Sequence, residues 1–208
     1  MPVQRWWFAA CCVLVTSLSG CGGGDETDDR AASECTAYPP ATGSPYILPW
    51  TVGHSYKAVP HIARNAAPIY AIDVPMPIGT QILAIRGGLV IGVIESNIDG
   101  DNRPGHENWI FVLHDDNSIG GYAHLTNMGA LVDEGATISQ GQLIGLSGHT
   151  GDSTEPHLHF DVRPSCGGQR CATLPPDAVP LNFRNAQPQS GDLTCGLRNG
   201  VSYTALPF

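Results

Sequence analysis

Four ionisable side chains alternate with three apolar ones in His157-Leu158-His159-Phe160-Asp161-Val162-Arg163. Successive side chains of a β-strand point to opposite faces. A strand here therefore puts His157, His159 and Asp161 on one face and sends Leu158, Phe160 and Val162 into a core. Neighbouring imidazoles on an accessible face suit a metal ligand beside a catalytic base, although a pair of ordinary surface histidines fits the same pattern. Tyr122-Ala123-His124-Leu125 closes another apolar run with a third imidazole. Asp73 stands between Tyr70-Ala71-Ile72 and Val74-Pro75, apolar surroundings in which an unpaired carboxylate is costly. His106-Glu107 opens like the His-Glu-x-x-His zinc helix, but Ile110 stands where the second histidine belongs, so that reading fails.

The elements that must carry these groups read as strands. Runs rich in Val, Ile and Leu occupy 81–85, 88–95, 109–114, 120–125, 142–147 and 157–163, with turn residues between them. Asp115-Asp116-Asn117 reads as a hairpin turn and Asp99-Gly100-Asp101-Asn102 as a longer loop. No sustained helical period is present, so any helix is short, near 125–131. An all-β domain of antiparallel strands follows, with no internal repeat.

Four segments, in order, resemble the lysostaphin/LytM-type metallopeptidases. The similarity covers about residues 49–164. Ala71-Ile72-Asp73-Val74-Pro75-Met76-Pro77-Ile78-Gly79-Thr80 resembles the family's segment around a zinc-binding aspartate. Tyr122-Ala123-His124-Leu125 is similar to its first catalytic-histidine motif. Residues 134–145, with Gln140-Gly141-Gln142-Leu143-Ile144-Gly145, resemble its glycine-punctuated turn, and 147–160, ending Glu155-Pro156-His157-Leu158-His159-Phe160, its most specific signature.

The resemblance implies an antiparallel β-sheet domain of the duplicated hybrid motif type, with a groove over the sheet. It implies a zinc ion held by Asp73 and His159, with His124 and His157 flanking the attacking water as acid/base groups. It implies a zinc metalloendopeptidase acting on peptidoglycan peptides. The family's usual histidine four residues before the aspartate is replaced by Ile69, and members with a Tyr-Ala-x-Asp segment carry it farther upstream. His61 is the leading substitute as third zinc ligand, with His54 behind it, and either fits an ordinary loop histidine as well. The departure at Ile69 also suits an alternative, a non-enzymatic envelope regulator that binds wall peptides or activates another wall hydrolase. Retention of Asp73, His124, His157 and His159 weighs against it. Of the other histidines, His114 and His106 receive structural readings, and only His149 comes near enough to meet substrate.

The rest of the chain bears on location. Arg5 precedes an apolar stretch, 6–18, shorter than the roughly 20 residues that cross a bilayer, and residues 1–20 read as a signal peptide. Leu18-Ser19-Gly20-Cys21 resembles a lipobox, so Cys21 is the expected lipidation site. Gly22 in place of an aspartate favours the outer membrane, on its periplasmic face. Residues 21–44, with Gly22-Gly23-Gly24 and Asp25, Glu26, Asp28 and Asp29, read as an acidic tether, and 45–208 as the folded domain with a C-terminal extension. Outside the cytoplasm, Cys35, Cys166, Cys171 and Cys195 suggest two disulfides in one of three connectivities. Cys166 with Cys171, across a Gly-Gly loop, and Cys35 with Cys195 is the most natural one. Thiolate zinc is disfavoured because C-x-x-C spacing is absent. A net charge of −9 argues against nucleic acid as a partner, and a monomer is expected.

Overall fold

The computed structural model describes residues 38–60, 70–165, 167–169, 178–188 and 196–208. The expected signal peptide, the lipidation site Cys21, the paired cysteines Cys35, Cys166, Cys171 and Cys195, and His61 lie outside the described residues.

Thirteen strands are described: β1 Ser55–Lys57, β2 Val59–Pro60, β3 Ile72–Pro75, β4 Gln81–Leu83, β5 Gly88–Ile94, β6 Trp109–Leu113, β7 Ser118–Ala123, β8 Leu125–Ala130, β9 Thr137–Ile138, β10 Leu143–Ser147, β11 His157–Pro164, β12 Ala186–Gln187 and β13 Ser202–Ala205. They form a seven-stranded sheet in the order β2-β3-β11-β7-β6-β5-β9 and two three-stranded sheets, β4-β10-β8 and β1-β13-β12. Every pairing is antiparallel. The all-β expectation is borne out, and among the described residues helix is limited to a three-residue 3-10 turn, Ala41–Gly43.

The helix expected near 125–131 is a correction. Residues 125–130 are β8, which pairs with β10 through Gly145↔Ala130 and Ser147↔Leu125. Leu125, Met128 and Leu131 recur every third residue and mimic a helical stripe. Yet Leu125 is wholly buried while Met128 is 64% and Leu131 49% exposed, so no common apolar face exists for a helix to bury.

Register explains why the large sheet can carry a site. One row of cross-strand partners is Ile72, Phe160, Tyr122 and Ile110, all at most 5% exposed, and with Val74, Leu158, Val162 and Val112 it forms the core beneath the sheet. The neighbouring row is Val59, Asp73, His159, Ala123 and Trp109. Alternation sends those side chains to the opposite face. The C-terminal segment packs on the same core, with the Phe183 ring 5.9 Å from that of Phe160 in edge contact. Phe160→Ala is expected to cost about 3–5 kcal/mol, the usual penalty for emptying a buried phenylalanine site. Urea denaturation measures it, and a loss below about 1 kcal/mol would show that the two layers do not depend on this ring.

Candidate active site

On the outer face of the large sheet, His159 and Asp73 are direct cross-strand partners, and His159 Nδ1 stands 2.9 Å from Asp73 Oδ1. His157, two residues before on β11, brings its Nε2 to 3.7 Å from the same oxygen. The rings of His124 and His157 are 4.4 Å apart, and those of His124 and His159 6.0 Å. Four residues singled out in the sequence, Asp73, His124, His157 and His159, therefore meet in one cluster. Trp109 closes the row, its ring edge-on to His159 at 5.9 Å and stacked on Phe111.

His124 arrives by a backbone corner. It joins β7 to β8, where the chain passes from the large sheet to a small one, and has φ +58, a left-handed conformation that is uncommon without glycine. The corner is held from several sides. Thr150 Oγ1 donates to the Leu125 carbonyl at 2.9 Å, and the wholly buried Asn108 donates through Nδ2 to the carbonyls of Leu125 and Thr126 at 3.2 Å. The Asn108 backbone N–H in turn donates to Thr150 Oγ1 at 2.9 Å. Strain of this kind persists only where the surroundings over-determine it, and it concentrates at functional positions.

Hydrogen bonds fix the ring tautomers. The Thr150 carbonyl oxygen lies 2.7 Å from His124 Nδ1, and the Glu155 carbonyl oxygen 2.8 Å from His157 Nδ1. A carbonyl only accepts, so in both rings Nδ1 carries the proton and Nε2 presents a lone pair. His124 is buried, which together with the nearby His157 and His159 imidazoles pushes its pKa down to about 4, against the hydrogen bond to Thr150. It is a neutral base at neutral pH.

His159 lies between two carboxylates, with Asp161 Oδ2 3.5 Å from Nε2 on the side away from Asp73. Burial opposes its charged form, but the hydrogen bonds to Asp161 and Asp73 and their charges outweigh it and raise its pKa to about 9. Burial likewise opposes ionisation of Asp161, which His159 and Arg163 nevertheless hold below the usual carboxylate range. Arg163 Nε donates to Asp161 Oδ2 at 2.8 Å, and Nη2 bonds the same oxygen. Room for that carboxylate comes from Gly121, directly opposite on β7. A Cβ there would stand 3.1 Å from Asp161 Oδ1 and 3.2 Å from the Trp109 ring.

Asp73 and His159 offer a carboxylate oxygen and an imidazole nitrogen to one point, donors that suit zinc. Among the described residues no three His, Cys, Asp or Glu side chains form a metal-holding group. His54 is exposed and precedes β1, in a different sheet; its carbonyl accepts from Trp50 Nε1 and from the Ala205 N–H. His106 is held by Asp101 at 3.0 Å, and His114 is buried, with Nδ1 donating to the Gly87 carbonyl. The supports Asn108, Thr150 and Ser153 were not marked in the sequence, because hydrogen bonds to main-chain carbonyls leave no residue-type signature, and neither was Arg163, which bonds the Asp161 carboxylate. Alternation along β11 did mark Asp161.

The chain is 31% identical over 115 residues to peptidoglycan DD-endopeptidase ShyA of Vibrio cholerae, covering 54% of this chain and 25% of the relative. It is 35% identical over 115 residues to lysostaphin of Staphylococcus simulans, covering 52% and 20%. It is 36% identical over 92 residues to the uncharacterized lipoprotein YgeR of Escherichia coli, covering 44% and 33%. The matched stretch thus spans a fifth to a third of these relatives. The crystal structure of the lysostaphin catalytic domain from Staphylococcus simulans aligns with 32% identity over 57% of this chain and 84% of that one, at a TM-score of 0.41. Residues 67–171, half of the chain and the whole of the histidine cluster, match the model of peptidase family M23, and the chain belongs to that family.

Proposed function

We propose that this M23 peptidase is a zinc-dependent endopeptidase that hydrolyses peptide bonds of bacterial cell-wall peptidoglycan. The observation that carries the reading is the pair of Nε2 lone pairs of His124 and His157, held by main-chain carbonyls, beside the Asp73–His159 donor pair. Relatives named as a peptidoglycan DD-endopeptidase and as lysostaphin support the substrate class.

Asp73 and His159 would hold the zinc, with His61 as the third ligand. Zinc supplies a Lewis acid that polarises the scissile carbonyl and acidifies water. The chain's own groups do the rest. Of His124 and His157, one would accept the proton of the attacking water at Nε2, stabilise the oxyanion as imidazolium and return that proton to the leaving amine, while the other faces the same site with a bare Nε2. Asp161, fixed by Arg163, accepts a hydrogen bond from His159 Nε2 and so orients that ring. Trp109 covers one flank.

Digestion of purified peptidoglycan is expected to release peptide fragments, to stop with a chelator and to resume when zinc is restored. Mass spectrometry of the products checks it. Glycan cleavage, or activity indifferent to chelation, would refute the reading.

We place the protein on the periplasmic face of the outer membrane, anchored by acyl chains on Cys21, with residues 21–44 as tether and two disulfides among Cys35, Cys166, Cys171 and Cys195. The relative described as a lipoprotein supports the anchor. Cys21→Ala is expected to take up no labelled fatty acid, and label on that variant would rule the anchor out.

A further inference from the structure

A second line of hydrogen bonds runs from His157 to a residue that the proposed reaction does not use. Ser153 Oγ lies 3.1 Å from His157 Nδ1 and 3.0 Å from His149 Nδ1. Ser153 is 3% exposed, whereas His149 is half-buried. The three residues are spaced four apart and link the candidate base to the outer loop. His149 is fixed in place. Its backbone N–H donates to Asp99 Oδ1 at 2.6 Å, its carbonyl accepts from the Gly100 N–H at 2.8 Å, and its ring lies against Gly100.

Counting protons gives the line a direction. Ser153 has one hydroxyl proton and three neighbours: His157 Nδ1, His149 Nδ1 and the Glu155 carbonyl oxygen at 2.9 Å. If that proton pointed at His157 Nδ1, the ring would have to carry its own proton on Nε2, and the base would be lost. His149 reinforces the Glu155 carbonyl in opposing this. With a bare Nδ1 it takes the serine proton, and Ser153 Oγ becomes a second acceptor for the His157 Nδ1–H. With a protonated Nδ1 it donates to Ser153 Oγ, and the hydroxyl turns to Glu155. The geometry points to His149 as a positioning residue that acts through Ser153 to keep His157 in the tautomer with a bare Nε2.

The role rests on the proposed peptidase activity for its consequence, but the tautomer can be read without it. Asn is the conservative variant, because its Oδ1 occupies the position of Nδ1 and still accepts. In zinc-loaded protein with unchanged thermal midpoint, ring 15N shifts should show the Nδ1–H form of His157 in wild type and His149→Asn, and a mixture in His149→Leu. On peptidoglycan peptides, His149→Leu should lower kcat about three- to tenfold, the worth of one neutral hydrogen bond, with KM and zinc content unchanged. His149→Asn should recover most of it. In a Ser153→Ala background, His149→Leu should add nothing, since both act on one path. An unchanged His157 tautomer in His149→Leu, a rise in KM alone, or full additivity with Ser153→Ala would overturn the role. A wild-type protein that cleaves nothing would defeat the peptidase reading, and the nitrogen shifts would still decide this one.

Discussion

His124→Ala and His157→Ala are each expected to lower kcat on peptidoglycan by about 10²- to 10⁴-fold with zinc still bound, the range typical of a positioned acid or base. His159→Ala is expected to lose the metal itself. The division follows from which atom of each ring is committed. His124 and His157 give Nδ1 to the carbonyls of Thr150 and Glu155, and neither has its Nε2 within bonding distance of Asp73; the nearer approach is 3.7 Å. His159 instead meets Asp73 at 2.9 Å and has Asp161 behind its other nitrogen, the arrangement of a ligand with a carboxylate to orient it. Removing His159 deletes a donor, whereas removing His124 or His157 deletes only a proton acceptor. The double variant His124→Ala/His157→Ala should fall little below the worse single one, because the two imidazoles sit 4.4 Å apart and serve the same proton transfers. Zinc content with kcat on each purified variant tests the assignment. Equal zinc loss in all three single variants would overturn it, and so would retained metal in His159→Ala.

Much of this site was legible because β-structure has a period of two. His157, His159 and Asp161 could be put on one face of β11, and Leu158, Phe160 and Val162 on the other, before any pairing was known; the second set is wholly buried. Which strands meet was less accessible. Asp73 and His159 are 86 residues apart, and only the β3–β11 register makes them neighbours. The position of His124 was hidden as well. Its run reads as one strand through Leu125, but a left-handed residue breaks that strand and hands the chain to a second sheet, a change enforced by Asn108 and Thr150 from other loops. Tertiary hydrogen bonding decided that segment. Family resemblance supplied what periodicity could not, namely which histidines act together.

His61→Ala is expected to abolish tight zinc binding and peptidase activity, with His54→Ala close to wild type. A catalytic zinc site has three protein ligands and an open position, so Asp73 and His159 alone leave the metal under-ligated. The described strands beside Asp73 favour His61 for the missing bond. Val59 is the direct partner of Asp73 and Pro60 of Ile72, so β2 runs along the edge of the site. His61 is the next residue in the chain after Pro60. His54 lies on the far side of β1, a strand that pairs with β13 in another sheet, and its main chain is engaged by Trp50 and Ala205. Losing one of three ligands should weaken zinc by several orders of magnitude, since structural and catalytic sites owe their affinity to the complete donor set. Chelator competition on the two purified variants measures it. Zinc loss confined to His54→Ala would exchange the two histidines, and a wild-type protein that takes up no zinc would make the chain a regulator of wall hydrolysis without metal chemistry of its own.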